Sequence, residues 1–330
     1  MQDIILSICI PTYNRAEILD KTLSQIVSED IFLNTNKIQL LISDNCSTDN
    51  TSEICENYKK KYPNKIKYLR QSTNLEDKNF IQVLKSAEGK FAKLSNDTLS
   101  YNNGALETIV DYLEKTEKSV MFFTNWRKKG VKEFIEFDNF DKFINFVTYQ
   151  CTWIGGLCVK TDEFLKLKSP EKYSSLYLAQ VYIIAQLSKN NGISVVNTHL
   201  MEVADVSKRG GYNVCEVFGK NFITILLDLM NEGLISKKSY DKVLKATLLR
   251  QISFYHFDFH RQFEFDKCGY FKYLFEYYKF KPYYYVNYLY CLIKKFFHLF
   301  IRYEKTKTHK TYIILGIIRL KTKRKGKSDV

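Results

Sequence analysis

Proline is scarce in this chain, four in 330 residues, and tryptophan scarcer still at two. With only 13 glycines besides, collagenous and Pro-rich linker architectures are excluded. No two cysteines have the C-x-x-C spacing: the eight thiols stand at 9, 46, 55, 151, 158, 215, 268 and 291. Scattered thiols of this kind argue against a structural zinc site and read as reduced core residues of a cytoplasmic protein. Long apolar runs are missing as well. Tyr283–Ile293 and Tyr312–Ile318 fall short of the ~20 residues that a membrane-spanning helix needs. The first strand begins almost at once, with no secretory leader legible ahead of it, so the expectation is a protein made and kept inside the cell.

Acidic residues are nearly absent from the last fifth of the chain. From Cys268 to Val330 there are 15 Lys or Arg against 3 Asp or Glu, which accounts for most of the net charge of +14. Tyr283, Tyr284, Tyr285, Tyr288, Tyr290, Phe296, Phe297, Phe300 and Tyr303 interleave with Lys294, Lys295 and Arg302. Aromatic rings suit the headgroup level of a bilayer and cations are drawn to anionic lipid, so the tail reads as a peripheral membrane anchor. A solvated basic face and a nucleic-acid surface are the competing readings; no nucleic-acid module is visible, and none is expected to bind.

What is present is a repeated strand-to-loop pattern. Leu6–Ile10 runs into Pro11-Thr12-Tyr13-Asn14-Arg15, and Ile38–Ile42 runs into Ser43-Asp44-Asn45-Cys46-Ser47-Thr48-Asp49. Each run is short, aliphatic and β-branched and stops in turn- and cap-forming residues. Helix-period stretches Ala16–Val27, Ser47–Tyr62, Asp77–Ser86 and Asn103–Glu114 alternate with strand-like Lys65–Arg70, Phe91–Leu94 and Val120–Thr124, which predicts parallel βαβ units. Ligands of open α/β sheets settle outside the carboxyl ends of the strands, so a nucleotide site at Pro11, Thr12, Tyr13, Asn14, Asp44 and Asn45 is the first hypothesis. The boundary falls between residues 1–210, an α/β domain, and 211–330, a helical, basic and aromatic region.

The two strand-loop motifs together resemble the opening of the family 2 glycosyltransferases. That resemblance implies the GT-A fold, a nucleotide-sugar donor, and an acceptor that is a lipid-linked or growing surface glycan such as capsule or lipopolysaccharide. It implies that Asp44 binds the base. Gly89-Lys90-Phe91-Ala92-Lys93-Leu94-Ser95-Asn96-Asp97 is similar to the family's metal segment. Asp97 is retained as metal ligand and Ser95 replaces the first acid, with Asn96 beside it. One or two carboxylates plus phosphates suffice for magnesium, so a divalent cation, Mg or Mn, is expected. His199 is a second metal candidate. Lys78 and Arg209, the latter in Lys208-Arg209-Gly210-Gly211, are candidates for the diphosphate, and Trp153, Gly155 and Gly156 resemble the acceptor-side segment. Helix capping for Asn96-Asp97, core packing for Trp153 and an ordinary linker around Arg209 are the bland alternatives.

The general base is where the resemblance breaks down. Aligning by the helix Tyr177–Leu187 puts Ala179-Gln180 where the family carries Glu-Asp, and an amide takes no proton. Asp162, Glu163, Glu171 and Asp205 are the nearby carboxylates, with Asp162 and Glu163 the catalytic candidates beside Asp97. The alternative is a catalytically silent nucleotide-sugar binder. Similar basic tails on membrane-side transferases place the expected protein at the cytoplasmic face of the inner membrane.

Overall fold

A computed structural model describes residues 4–124, 126–203, 210–257, 264–305, 309–314 and 318–323. They divide into two compact units, one of residues 1–206 with 221–246 and the other of 207–220 with 247–330.

The first unit is built on an eight-stranded sheet. Its strands are β1 Leu6–Thr12, β2 Ile38–Asp44, β3 Ile66–Arg70, β4 Phe91–Leu94, β6 Val120–Phe123, β7 Phe134–Phe137, β8 Leu157–Lys160 and β9 Ile193–Val196, and β5 Leu99–Tyr101 pairs separately with β10 Met201–Val203. The large sheet runs in the order β3-β2-β1-β4-β8-β6-β9-β7. β1, β2, β3 and β4 are parallel, as the alternation predicts, with Thr12 opposite Asp44 at the last rung. β8 is not foreseen: it lies antiparallel between β4 and β6, so the sheet is mixed. β7 closes the far edge, antiparallel to β9.

All seven residues of β1 and of β2 are buried, as strands covered on both faces must be. Leu6, Ile8, Ile10, Leu40 and Ile42 form one core with Leu19, Leu23 and Ile26 of α1 (Ala16–Ser28) and with Leu106, Ile109 and Leu113 of α5 (Ala105–Lys115). The alternate residues face α4 (Lys78–Lys85), where the Ser43 hydroxyl donates to Asn79 Oδ1 at 2.6 Å and Asn79 Nδ2 to the Ser43 carbonyl at 2.9 Å. The period of two along each strand thus chooses which helix a side chain meets.

α2 (Asp30–Asn34) and α3 (Thr51–Lys61) complete this half of the unit. The second helix starts four residues later than its periodicity predicts, because Ser47 to Asn50 are spent in the loop that Asp44 organises. Next come α6 (Phe140–Val147), α7 (Thr161–Leu165) and α8 (Ala179–Asn191), followed by α9 (Phe222–Asn231) and α10 (Lys237–Ala246). Asp228 accepts from the Tyr173 hydroxyl at 2.7 Å, and Lys242 donates to the Asn145 carbonyl at 2.7 Å, so these last two helices fold with the first unit.

In the second unit, β11 (Gly210–Asn213) pairs with β12 (Glu264–Asp266), near π-helical turns at Cys215–Asn221 and Thr247–Ile252. α11 (Ser253–Phe257), α12 (Tyr270–Tyr278) and α13 (Pro282–Phe300) pack through aromatic rings, Tyr270 stacking on Tyr284 at 5.6 Å. His256 is among them: burial and then Lys295 and Lys267 bring its pKa down to about 4, the behaviour of a packing residue. The tail, read from sequence as helical, also carries the antiparallel strands β13 (Ile301–Lys305), β14 (His309–Ile314) and β15 (Ile318–Lys323).

Candidate functional site

The carboxyl ends of β1, β2 and β4 meet at one edge of the sheet, and the polar loops that leave them are bonded to one another. The Asn45 amide donates to the Thr12 carbonyl at 2.9 Å and the Ser95 amide to the Cys9 carbonyl at 2.8 Å. Asn14, at φ 50°, donates its backbone N–H to Ser47 Oγ at 2.9 Å, while its side-chain oxygen accepts from the Thr48 amide at 2.7 Å. Asn tolerates this left-handed conformation better than most residues. Asp49 accepts from the Ala16 amide at 3.1 Å, tying the start of α1 to the second loop. Asn14, Arg15, Glu17, Asp49 and Asn50 line an open groove beside these contacts.

Asp44 is wholly buried at the end of β2. One carboxylate oxygen accepts from the Ser47 amide at 2.8 Å and the other from the Tyr68 hydroxyl at 2.9 Å. The shape of the loop is therefore set by this acid. Arg70 donates to the Ser47 carbonyl at 2.9 Å, and Asn45 bonds Asn74 at 2.7 Å and the Leu75 amide at 2.7 Å, linking the loop to the segment before α4. Pro11, Thr12 and Asn45 are buried within this frame; Tyr13, 43% exposed, keeps an open ring. Lys78, exposed, opens α4.

Asp97 joins the β4 loop to the first loop. Its carboxylate accepts from Thr12 Oγ1 at 3.0 Å and pairs with the Arg15 guanidinium at 3.0 Å, while its carbonyl accepts from Thr22 at 2.7 Å. Burial pushes the Asp97 carboxyl above the usual carboxylate range, and Arg15 and then Thr12 pull it back. Ser95 is buried and its oxygen accepts from the Tyr101 hydroxyl at 3.0 Å, while Asn96 is half-buried and Asp97, only 5% exposed, keeps its carboxylate on Thr12 and Arg15. No cluster of three or more His, Cys, Asp or Glu gathers anywhere among the described residues. Asp97 therefore stands as a single carboxylate, with one oxygen bonded to Thr12 and the other to Arg15; magnesium can be held through one protein carboxylate when other oxygens and waters supply the remainder.

Because β8 runs against its neighbours, the segment that opens it lies at this same edge. Gly155 and Gly156 form a 3-10 turn before Leu157. A Cβ on Gly156 would stand 2.6 Å from the Phe122 ring and one on Gly155 2.7 Å from the Trp153 ring, so both positions exclude any side chain. Trp153 is half-buried against the core, with Gly155 beneath its indole. Beneath the segment sits Lys93, fully buried, donating to the Gly155 carbonyl at 2.7 Å.

Other residues singled out from sequence are placed elsewhere. The end of β8 pairs Lys160 with Phe91 at the start of β4, so Asp162 and Glu163 stand at the opposite edge of the sheet from the loops. They also have partners: Asp162 pairs with Lys166 at 3.5 Å and Glu163 accepts from Asn190 at 2.6 Å. Their selection on sequence proximity is corrected by the direction of one strand. The exposed His199 ring lies 3.4 Å from Glu202, and its carbonyl accepts from Asn102 at 3.0 Å; its ring is not bonded to Asp97. Arg209, Lys208 and Asp205 lie outside the described residues. Gln180 is buried and donates to the Thr152 carbonyl at 2.8 Å, a positioning contact. Asp77 and the buried Lys93 are the groups sequence reasoning missed; a lysine at the centre of an apolar strand, Phe91–Leu94, was the available signal for the second.

Residues 7–163 match the model of glycosyl transferase family 2. The chain is 28% identical over 271 residues to the abequosyltransferase RfbV of Salmonella typhimurium, covering 73% of this chain and 80% of that one. It is 26% identical over 150 residues to the minor teichoic acid biosynthesis protein GgaA of Bacillus subtilis, covering 43% of this chain and a third, 33%, of the relative. Among solved structures, Staphylococcus aureus TarS 1–349 in complex with UDP aligns with a TM-score of 0.54 at 20% identity over 77% of this chain and 73% of that one. A Pyrobaculum calidifontis mannosyltransferase in complex with GDP-Man and Mn2+ aligns with a TM-score of 0.50 at 12% identity, covering 76% and 74%. The fold is therefore GT-A, and residues 7–163, just under half of the chain, are similar to glycosyl transferase family 2.

Proposed function

We propose that this sugar transferase takes its sugar from a nucleoside diphosphate donor and delivers it to a hydroxyl of a lipid-linked or growing surface glycan. The observation that carries the proposal is the carboxylate of Asp97, fixed between Thr12 and Arg15 at the edge where three strands end. TarS has been solved with UDP and UDP-GlcNAc, and RfbV is an abequosyltransferase; both support a nucleotide-sugar donor. Tyr13 offers a ring for the base, Asp44 and Asn45 hold the loop around it, and Arg15 and Lys78 supply positive charge for the diphosphate. When bound, a magnesium or manganese ion on Asp97, with Asn96 beside it, would stabilise the charge of the departing diphosphate. The open part of the Trp153 indole is suited to a sugar face.

A thermal-shift screen tests the proposal, using nucleoside diphosphates and UDP-, GDP-, TDP- and CDP-sugars with and without Mn2+. A ligand at 100 times its Kd adds about 2.7 kcal/mol of stability, so one donor family is expected to raise Tm, and more strongly with metal. Folded protein that shifts with none of them overturns the proposal.

The exposed face of α13 supports a peripheral place at an anionic membrane. Val286, Leu289, Tyr290, Ile293, Phe296 and Phe297 are all exposed and recur at helical spacing, with Lys294 and Lys295 beside them. No described helix is long and apolar enough to cross a membrane, which leaves an in-plane helix as the arrangement this stripe suits. The protein is expected to sediment with vesicles containing phosphatidylglycerol and to be released by high salt, and to stay in the supernatant with pure phosphatidylcholine. Equal sedimentation with both lipids overturns the electrostatic part of this assignment.

A further inference from the structure

We propose that Asp77 is the carboxylate that takes the proton from the acceptor hydroxyl, in place of the acid missing at Gln180. The inference rests on the transferase function proposed above and names the group that sequence alignment could not supply.

Asp77 immediately precedes α4. As α4 follows β3 and packs back along β1, β2 and β4, its first turn lies at the edge where the loops converge. There Asp77 lines a narrow cleft with Gln180 of α8, Leu94, Ile154, Ser174 and Tyr177. Leu94 immediately precedes Ser95-Asn96-Asp97 and Ile154 immediately follows Trp153, so the cleft is lined by the sequence neighbours of both segments. Its free space is about 10 Å³, room for about one water-sized oxygen. A single hydroxyl fits that space, whereas a sugar ring does not.

Two polar groups in this cleft lack partners. An aspartate before a helix ordinarily accepts from the N–H groups of the first turn; Asp77 does not, its backbone being already helical at φ −66°, ψ −14° with no side-chain cap bond. Among the described residues its carboxylate has neither a hydrogen bond nor an ion pair. Ser174 Oγ, in a residue 4% exposed, is likewise without a hydrogen-bond partner. A hydroxyl entering the cleft would meet an acceptor and a group able to donate or accept. Tyr177 is the other titratable group in the lining, with Glu76 and Lys78 flanking Asp77 in sequence. Burial, and then the charge of Glu76, raise the Asp77 carboxyl to about 6, near the working range of a general base.

In the step itself the acceptor O–H gives its proton to an Asp77 oxygen. The acceptor oxygen bonds to the anomeric carbon, and the bond from that carbon to the diphosphate breaks with its electron pair leaving on the nucleoside diphosphate. Attack from the face opposite the leaving group inverts the anomeric centre.

The test measures nucleoside diphosphate release from the sugar donor that gives the largest Mn2+-dependent thermal shift, over pH 5–9. Wild type, Asp77→Asn and Asp77→Glu are compared. The Asn variant is expected to lose about 100-fold or more in kcat, to keep the donor KM and the UDP thermal shift, and to lose the acid limb near pH 6. The Glu variant is expected to recover part of the rate. Folding is checked independently. The folded pKa is raised, so wild type loses stability as pH rises between about 4 and about 6; Asp77→Asn should therefore melt no lower than wild type at pH 8. Equal turnover by Asp77→Asn, with the acid limb intact, overturns the role of Asp77 alone. Wild-type protein that binds no nucleotide sugar overturns the transferase function and Asp77's role with it.

Discussion

Asp97→Asn is expected to abolish sugar transfer, lowering kcat by about 10³ while leaving the protein folded. A loss of that size is about 4 kcal/mol of transition-state stabilisation, in the range found when one preorganised charge-stabilising group is removed. The amide matches the carboxylate in shape and can still accept from Thr12 Oγ1, which now bonds the acid at 3.0 Å. What it lacks is the charge that pairs with Arg15 and would hold a divalent cation against the diphosphate. Arg15 is half-exposed and Asp97 buried; burial already disfavours the Asp97 charge, so the neutral amide is expected to leave the protein folded. The signature is specific: the shift with the nucleoside diphosphate found in the screen remains without metal, the additional shift with Mn2+ disappears, and turnover disappears with it. An Asp97→Asn protein that turns over within tenfold of wild type would show that another group neutralises the leaving diphosphate.

The second large effect is on stability and has the opposite sign to most core substitutions. Lys93→Met is expected to stabilise the protein at pH 7 by about 2 kcal/mol and to lose that advantage by pH 10.5. Lys93 is fully buried in β4. Its ammonium lies between the rings of Tyr101 and Phe123, at 5.6 and 5.8 Å from their centroids, and donates to two backbone carbonyls, those of Gly155 and Leu94. No described carboxylate pairs with it. Burial draws its pKa down to about 8. The folded pKa is the lower one, so the unfolded chain holds the proton more tightly; stability rises from about pH 8 to the unfolded value near 10.5 and is reduced at pH 7 by about 3 kcal/mol. Methionine fills a similar volume without charge, and losing the hydrogen bonds returns about 1 kcal/mol of the gain. Thermal melts at pH 7 and pH 10.5 decide the matter, and a variant less stable at pH 7 refutes the assigned cost. The same variant frees Gly155 from β4, so a fall in turnover alongside the rise in Tm would identify Lys93 as a positioning residue for the acceptor segment.

The convergence of the first two loops was legible because it is local. Thr12, Asn14, Asp44 and Asn45 each follow directly on an aliphatic strand, and parallel pairing carries both loops to one edge. Asp97 was reached in the same way, one short loop beyond β4. What sequence concealed is set by strand direction. Asp162 and Glu163 follow the acceptor-like glycines closely, and only the reversal of β8 reveals that a four-residue strand has carried them to the other edge. Asp77 was hidden for the converse reason: as the residue before a helix it reads as a cap, and only the missing cap bond and the proximity of Gln180 give it another task. The strand pair β5–β10 escaped notice because each member has three residues and their pairing spans about a hundred positions.

The placing of β8 has a consequence for how the protein is assembled. β1, β2, β3 and β4 draw only on residues 6–94 and are already neighbours, so this half-sheet can close early and locally during synthesis. β6, β9 and β7 make a second half-sheet, and β8 joins the two, pairing Phe91 with Lys160 and Val120 with Val159, while β9 reaches β6 from still farther along the chain, Val120 opposite Ile193; contacts so distant in sequence form slowly. The edge where the first two loops converge is therefore complete on the growing chain before the glycine segment that opens β8 has been made.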